Sequence, residues 1–122
     1  MLVALTGASG FIGSYTARAL HGAGHTVRAL VRSTSRRDHI EDVVAEWREG
    51  DTADPQAAAG LVAGVDAVIH NAADWDALER SPVTHFRRNV LGSLELLEAS
   101  RQAGAAIDQG REPGQGRPRR QE

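Results

Sequence analysis

Three glycines near the start of the chain follow one another at the spacing G-x-x-G-x-x-G, at Gly7, Gly10 and Gly13. A short apolar run at residues 2–5 precedes them, and a helical pattern begins at Phe11. Gly7 permits a sharp turn after a strand, Gly10 lets a phosphate approach the backbone, and Gly13 allows a helix to pack closely. Because the free N–H groups at a helix start favour an anion, the spacing predicts a phosphate-binding turn. The alternative is a glycine turn without a ligand.

Arginines, serines and a threonine follow the second predicted strand, residues 25–31. When a dinucleotide is bound at a glycine turn of this kind, an acidic residue near the end of the second strand binds the ribose 2′-hydroxyl of NAD. The first acidic residue here is Asp38, and Arg32, Arg36 and Arg37 precede it. Guanidinium groups suit a 2′-phosphate, so this loop predicts NADP as the cofactor, with NAD as the alternative. Arginines that only face water would explain the same pattern.

The composition excludes several classes of protein. The chain has 122 residues, one domain at most, and contains 41% hydrophobic and 25% charged residues with a net charge of −2. This balance argues against a nucleic-acid-binding protein, which usually carries a basic patch. There is no cysteine and no apolar run of membrane-spanning length, so we expect no disulfide, no membrane partner and a cytoplasmic location. All fourteen basic residues are arginines, so chemistry that needs a lysine is closed to this chain.

The order of elements predicts an α/β fold, since strands alternate with helices. The predicted strands cover residues 2–5, 25–31, 44–48 and 65–70, and the predicted helices cover 11–21, 38–43, 54–64 and 82–104. We expect a parallel sheet in the order 3-2-1-4 with helices on both faces, half of a Rossmann domain or slightly more. Ile12, Ala19 and Leu20 are expected to face the core from the first helix. The apolar stripe of the last helix, wide enough to be buried on two sides, comprises Phe86, Val90, Leu91, Leu94, Leu96 and Leu97.

Three motifs resemble those of the extended short-chain dehydrogenase/reductase superfamily, in its branch of NAD-dependent epimerases, dehydratases and related reductases. Residues 6–13, TGASGFIG, are similar to the T-G-x-x-G-F-I-G of that family. Residues 68–73, VIHNAA, are similar to its V-x-H-x-A-A, and residues 89–93, NVLGS, to its N-V-x-G-T with serine in place of threonine. The motifs also have the family's order and separation. The resemblance covers residues 1–105 and implies an incomplete NAD(P)-binding Rossmann domain.

The resemblance implies a role in binding NADP or NAD for each matching position. The glycine turn holds the pyrophosphate, the pair after the third strand contacts the adenine, and residues after the fourth strand line the ribose. With Arg32 from the arginine loop, the cofactor-binding residues are Gly7, Ser9, Gly10, Phe11, Ile12, Gly13, Asp51, Thr52, Asn71, Ala72, Ala73 and Asn89. Asp51 could instead cap a turn, and His70 is either a core histidine with one satisfied nitrogen or a group that contacts the cofactor. A homo-oligomer through the last helix is also implied.

The chemistry of that family is expected to be absent from this chain. Its enzymes carry a serine or threonine after a fifth strand and then Y-x-x-x-K, in which the tyrosine is the acid/base. Here residues 105–110 read AAIDQG, where we expect no strand. The single tyrosine, Tyr15, belongs to the phosphate-binding helix. We therefore predict no catalytic residue and no metal site.

Residues 106–122 are rich in glycine, proline and arginine and predict a disordered tail. A reading-frame change or a truncation would explain this composition, and a genuine flexible tail is the alternative. The sequence thus predicts the NAD(P)-binding N-terminal part of an epimerase, dehydratase or reductase, without turnover of substrate. The alternatives are a non-catalytic NADP-sensing module and a non-functional truncated product.

Overall fold

The computed structural model describes residues 1–71 and 81–108. Within these ranges strands and helices alternate, except that β3 follows β2 without a helix between them. The elements are β1 (Leu2–Thr6), α1 (Phe11–Gly22), β2 (Thr26–Val31), β3 (Glu46–Glu49), α2 (Pro55–Val62), β4 (Ala67–His70), α3 (Pro82–Phe86), a π-helical turn (Arg87–Leu91), α4 (Gly92–Ala103) and β5 (Ala106–Asp108). The part of the predicted tail from residue 109 onward lies outside the described residues.

All neighbouring strands of the sheet are parallel, in the order β3-β2-β1-β4-β5. The α/β class and the predicted order of the first four strands are therefore confirmed. The expectation of no fifth strand is wrong, because β5 pairs with β4 and places Ile107 opposite Val68. One large apolar residue is too little to predict a strand, and backbone bonds such as that from the Ala106 N–H to the Asp66 oxygen, at 3.2 Å, hold it. The sheet thus extends past the predicted boundary at residue 105.

The sheet is covered by helices on both faces, as parallel sheets are. On one face, Leu61 of α2 and Leu96 of α4 pack in one cluster with Ala4. On the other face, Ala17 of α1 packs with Leu5. Successive residues of β1 point to opposite faces, so this central strand contributes to both halves of the core.

The predicted helix at residues 38–43 is wrong, because this segment forms a series of turns. The N–H of Val43 donates to the oxygen of Ile40 at 3.1 Å, whereas a helix would direct it to the oxygen of His39. That oxygen accepts a hydrogen bond from the guanidinium of Arg18 on α1 instead. The loop is thereby fastened to α1, and Ile40 is buried in the core.

Two helical faces differ from the prediction. In α1, Gly13 is buried at the sheet, whereas Ile12 is 66% exposed. The helix predicted at residues 82–104 is interrupted by the π-helical turn. Leu96 is fully buried and Leu94 is 56% exposed, so the apolar stripe is buried on one side only.

Candidate functional site

A cleft of about 620 Å³ opens at the carboxyl ends of β1, β2 and β4. Open parallel sheets bind ligands at this edge, where the strand order reverses. The predicted site residues that line the cleft are Gly7, Ser9, Gly10, Phe11, Ile12, Gly13, Arg32, Asp51, Thr52, Asn71 and Asn89. Ala72 and Ala73 lie outside the described residues. The fold therefore brings distant segments together at one cleft, and their contact with a cofactor stays a prediction.

The glycine turn joins β1 to α1 beside the cleft. Gly7 has a φ of 68°, a left-handed conformation that glycine adopts without strain. A Cβ at Gly13 would lie 1.8 Å from the Gly7 oxygen, so only glycine fits there. A Cβ at Gly10 would meet that oxygen at 3.4 Å, an ordinary contact. The packing of the protein thus requires glycine at position 13 and leaves room at position 10.

Two sources of positive potential border the cleft. The first is the start of α1, whose first turn contains no acidic side chain to neutralise the helix dipole. The second is Arg32, for which no carboxylate of residues 1–71 and 81–108 is an ion-pair partner. By contrast, Arg36 pairs with Asp38 at 3.0 Å, and Arg37 pairs with Glu49. Of the three arginines, Arg32 is the one that lines the cleft.

The arginine loop is held against the glycine turn by His39, a residue that the sequence did not single out. Its Nε2 donates to the Ser9 oxygen at 3.0 Å. On the same loop, Asp42 forms an ion pair with Arg18 of α1 at 2.9 Å, and this partner lowers the pKa of the Asp42 carboxyl. These contacts are tertiary, so no local pattern reveals them. Together they fix the loop that carries Arg32 relative to the turn.

His70 lies at the end of β4, and both of its ring nitrogens are hydrogen-bonded. Nδ1 lies 2.6 Å from the Thr6 hydroxyl, and Nε2 lies 2.9 Å from the Ser93 hydroxyl. The Thr6 oxygen also accepts the N–H of Asn71 at 2.9 Å, and Ser93 donates to the oxygen of Asn89 at 2.6 Å. Burial lowers the pKa of His70 below the usual 6.5, so the ring is neutral at neutral pH. The ring has two satisfied nitrogens rather than one, and it joins all three motifs.

Asp51 and Thr52 border the cleft after β3, and each also has a structural role. Asp51 accepts the N–H of Ala53 at 3.0 Å and so caps a turn, the alternative considered for it. Thr52 is buried, and its hydroxyl oxygen would lie 2.6 Å from a Cβ at Gly92. Gly92 of the third motif therefore lets α4 pack directly onto Thr52. The motif alone does not reveal why glycine is needed at this position.

The described part of the cleft suits an anionic molecule, since it combines the N–H groups of a helix start with a guanidinium group. Within residues 1–71 and 81–108, no group of histidine, aspartate and glutamate side chains could hold a metal ion. No helix in the part of the chain that the structure describes is long and apolar enough to cross a membrane.

Reductases and epimerases share both sequence and architecture with this chain. A 2-alkyl-3-oxoalkanoate reductase of Stenotrophomonas maltophilia is 36% identical over 107 residues, which cover 85% of this chain and 31% of that protein. A ceramide reductase of Caulobacter vibrioides is 35% identical over 105 residues, covering 85% of this chain and 32% of that protein. The crystal structure of a UDP-glucose 4-epimerase from Thermus thermophilus in complex with NAD matches with a TM-score of 0.73 and 32% identity, over 86% of this chain and 35% of that one.

The chain spans about a third of the length of these relatives. The sequence pattern that defines the NAD dependent epimerase/dehydratase family matches residues 3–108, which include all three motifs and the five strands of the sheet except the first residue of β1. Fold, motifs and matched range agree, and the chain belongs to the NAD dependent epimerase/dehydratase family.

Proposed function

We propose that the chain binds a nicotinamide dinucleotide in the cleft beside the glycine turn. The pyrophosphate lies at the N-terminus of α1, with the backbone N–H groups of Phe11 and Ile12 as donors. The contrast between two glycines carries this proposal: packing requires Gly13, whereas the protein has room for a side chain at Gly10. We infer that glycine occurs at position 10 because a ligand approaches the backbone closely there. The NAD complex of the Thermus thermophilus epimerase, which shares the fold, supports the assignment.

We further propose that NADP(H) is preferred over NAD(H). Arg32 and Ser35 both line the cleft, and the Ser35 hydroxyl accepts the N–H of Arg32 at 3.1 Å, which holds the two in one turn. A guanidinium beside a hydroxyl suits a 2′-phosphate, whereas NAD would be bound through an acidic residue near this point.

Calorimetric titration of the full chain with NADPH tests the binding site. Valine at position 10 would place its methyl groups in the space of the pyrophosphate, so Gly10→Val is expected to lower the affinity below detection and to leave the circular-dichroism spectrum unchanged. The control is Gly22→Val near the end of α1, where a Cβ would meet nothing within 4 Å. Unchanged affinity in Gly10→Val would show that the phosphate is not bound at this turn.

The reductases and the epimerase among the relatives suggest hydride transfer at a carbinol or ketone carbon as the activity of a complete protein of this kind. We propose that this chain itself binds the cofactor without turnover. An acid/base with a tuned pKa must act on the substrate oxygen, and the sequence contains neither Y-x-x-x-K nor any lysine. Self-association through the last helix is a further part of the proposal, and a cytoplasmic location stays a prediction.

A further inference from the structure

The hydroxyl groups of Thr6 and Ser93 and the ring of His70 form one continuous chain of hydrogen bonds. It begins at the N–H of Asn71 and ends at the backbone oxygen of Asn89. The four bonds measure 2.9, 2.6, 2.9 and 2.6 Å in that order. These hydrogen bonds therefore connect the ends of β1 and β4 with the π-helical turn. Asn71, Asn89 and the His70 ring all border the cleft.

The direction of the hydrogen bonds follows from the Asn89 end and from the neutral state of the ring. A carbonyl oxygen only accepts, so Ser93 gives its single hydroxyl hydrogen to Asn89 and must accept from Nε2 of His70. In a neutral ring with its hydrogen on Nε2, Nδ1 is an acceptor, so the Thr6 hydroxyl donates to it, while the Thr6 oxygen accepts the N–H of Asn71. The geometry thus requires a hydrogen on Nε2, and in the neutral ring this is the Nε2–H tautomer.

Asn89 lies in the π-helical turn at the edge of the cleft. The N–H of Gly92 donates to the oxygen of Arg87, five residues earlier, so the backbone ladder is displaced from its α-helical pattern here. The Ser93 hydroxyl donates to the Asn89 oxygen inside this turn. The same Ser93 hydroxyl accepts the Nε2–H of His70, so the histidine holds it in place.

We propose that His70 is a positioning residue: as the Nε2–H tautomer, it joins the ends of β1 and β4 to the π-helical turn and so holds Asn89 at the cleft. Its effect on nucleotide affinity rests on the proposed function, whereas the tautomer and the position of Asn89 do not. The role differs from direct cofactor contact, because both ring nitrogens are used by the protein.

The first test uses the 15N-labelled full chain without nucleotide. Imidazole 1H–15N spectra are expected to show His70 as a single Nε2–H tautomer, assigned by the loss of its signals in His70→Gln. Ser93→Ala should mix the tautomers and shift the side-chain amide signals of Asn89, and Ser93→Thr should restore both. The matched control is Ser100→Ala on the same helix, since Ser100 makes the same kind of bond, to the Leu96 oxygen at 2.7 Å, without a histidine partner. An Nδ1–H tautomer in the wild type, or unmoved Asn89 signals in Ser93→Ala, would overturn the proposal.

The second test titrates the same variants with NADPH. Ser93→Ala is expected to weaken affinity about three- to tenfold, the cost of one lost hydrogen bond, while Ser93→Thr and Ser100→Ala stay within about twofold. Equal affinity of Ser93→Ala and the wild type would overturn the positioning role at the cofactor site. A wild-type chain that binds neither dinucleotide but keeps the tautomer and its dependence on Ser93 would overturn the proposed function and support the positioning of Asn89.

Discussion

Arg32 is the residue through which the cleft is expected to distinguish NADP from NAD. Replacing it with the acid that binds a ribose 2′-hydroxyl, Arg32→Asp, should reverse the preference, because a carboxylate repels a 2′-phosphate. The loss of a charge-assisted hydrogen bond of this kind should lower the affinity for NADPH about ten- to hundredfold. Calorimetric titration with each of the two cofactors measures this change. Arg36→Ala is the control, since that side chain already pairs with Asp38, and it should change the ratio less than about twofold. A native preference for NAD(H) would contradict the assignment.

The lowered pKa of His70 predicts how the free energy of unfolding depends on pH. Because burial lowers this pKa below 6.5, the unfolded chain takes up the proton first as pH falls. The free energy of unfolding should therefore be constant above about pH 6.5 with respect to this group and decrease below it. His70→Gln removes the titration, so its stability in urea should fall less steeply than that of the wild type between about pH 7.5 and 5.5. Parallel curves for the two proteins would show that the ring is not buried as a neutral group.

The glycine turn shows how far residue-level prediction reaches. Spacing alone identified Gly7, Gly10 and Gly13 as a set and gave the packing role of the last one. It could not predict the bonds of His70, because Thr6 and Ser93 are joined to it only through the fold. The motifs contain all three residues, but a motif does not state which side chains touch.

Among the elements, the end of α2 depends on a charged residue in the central part of the sheet. Arg28 of β2 is 8% exposed at its side chain, donates to the oxygens of Leu61 and Ala63 at 3.0 and 2.7 Å, and pairs with Glu46 at 2.6 Å. The arginine thereby satisfies carbonyl groups that a helix end leaves without partners. Its pairing also lowers the pKa of the Glu46 carboxyl.

Arg28→Met is expected to destabilise the chain by about 2–4 kcal/mol, because it leaves the carbonyl groups of Leu61 and Ala63 at the helix end without their donor. The measurement is the free energy of unfolding in urea. Arg48→Met on the neighbouring strand is the control: Arg48 is exposed and bonds only the adjacent Trp47 oxygen among the described contacts, so its loss should cost less than about 0.5 kcal/mol. Equal effects would refute the capping role.

The elements that the sequence predicted correctly are those with strong local signals. Asp54 and Pro55 predicted the start of α2, and the Asp54 carboxylate does accept the N–H of Gln56 at 3.0 Å. The errors fall where tertiary contacts decide. β5 has a single large apolar residue and forms by pairing with β4. The segment 38–43 is predicted as a helix but forms turns, and the guanidinium of Arg18 bonds the His39 carbonyl to which a helix would direct the N–H of Val43.

At the scale of the whole molecule, an apolar surface remains on the outer side of the last helices. Its residues at helical spacing are Val83, Phe86, Val90, Leu91 and Leu94, which are 64, 55, 41, 40 and 56% exposed. Exposed apolar side chains grouped on one helical face mark an interaction surface or a site of aggregation. The edge of β4 is not a second such site, since β5 pairs with it.

We expect the chain to self-associate through this surface as its concentration rises. In sedimentation velocity, the mean mass should increase with concentration, and Phe86→Ser combined with Leu94→Ser should shift the chain to monomer without loss of helical structure. Tyr15→Ser is the matched control, because Tyr15 is 64% exposed on α1, against the opposite face of the sheet. If any exposed aromatic residue promoted association, this variant would act as strongly as the pair.

The outcome separates two views of the chain. Association that depends on Phe86 and Leu94 means that the surface is built to be covered and that the chain alone is incomplete in its packing. A strict monomer at all concentrations, with a sharp and cooperative thermal transition, would contradict the expectation. It would mean that exposure of these apolar side chains does not destabilise the isolated chain and does not drive association. That result would favour a stand-alone dinucleotide-binding module over one part of a larger packed unit.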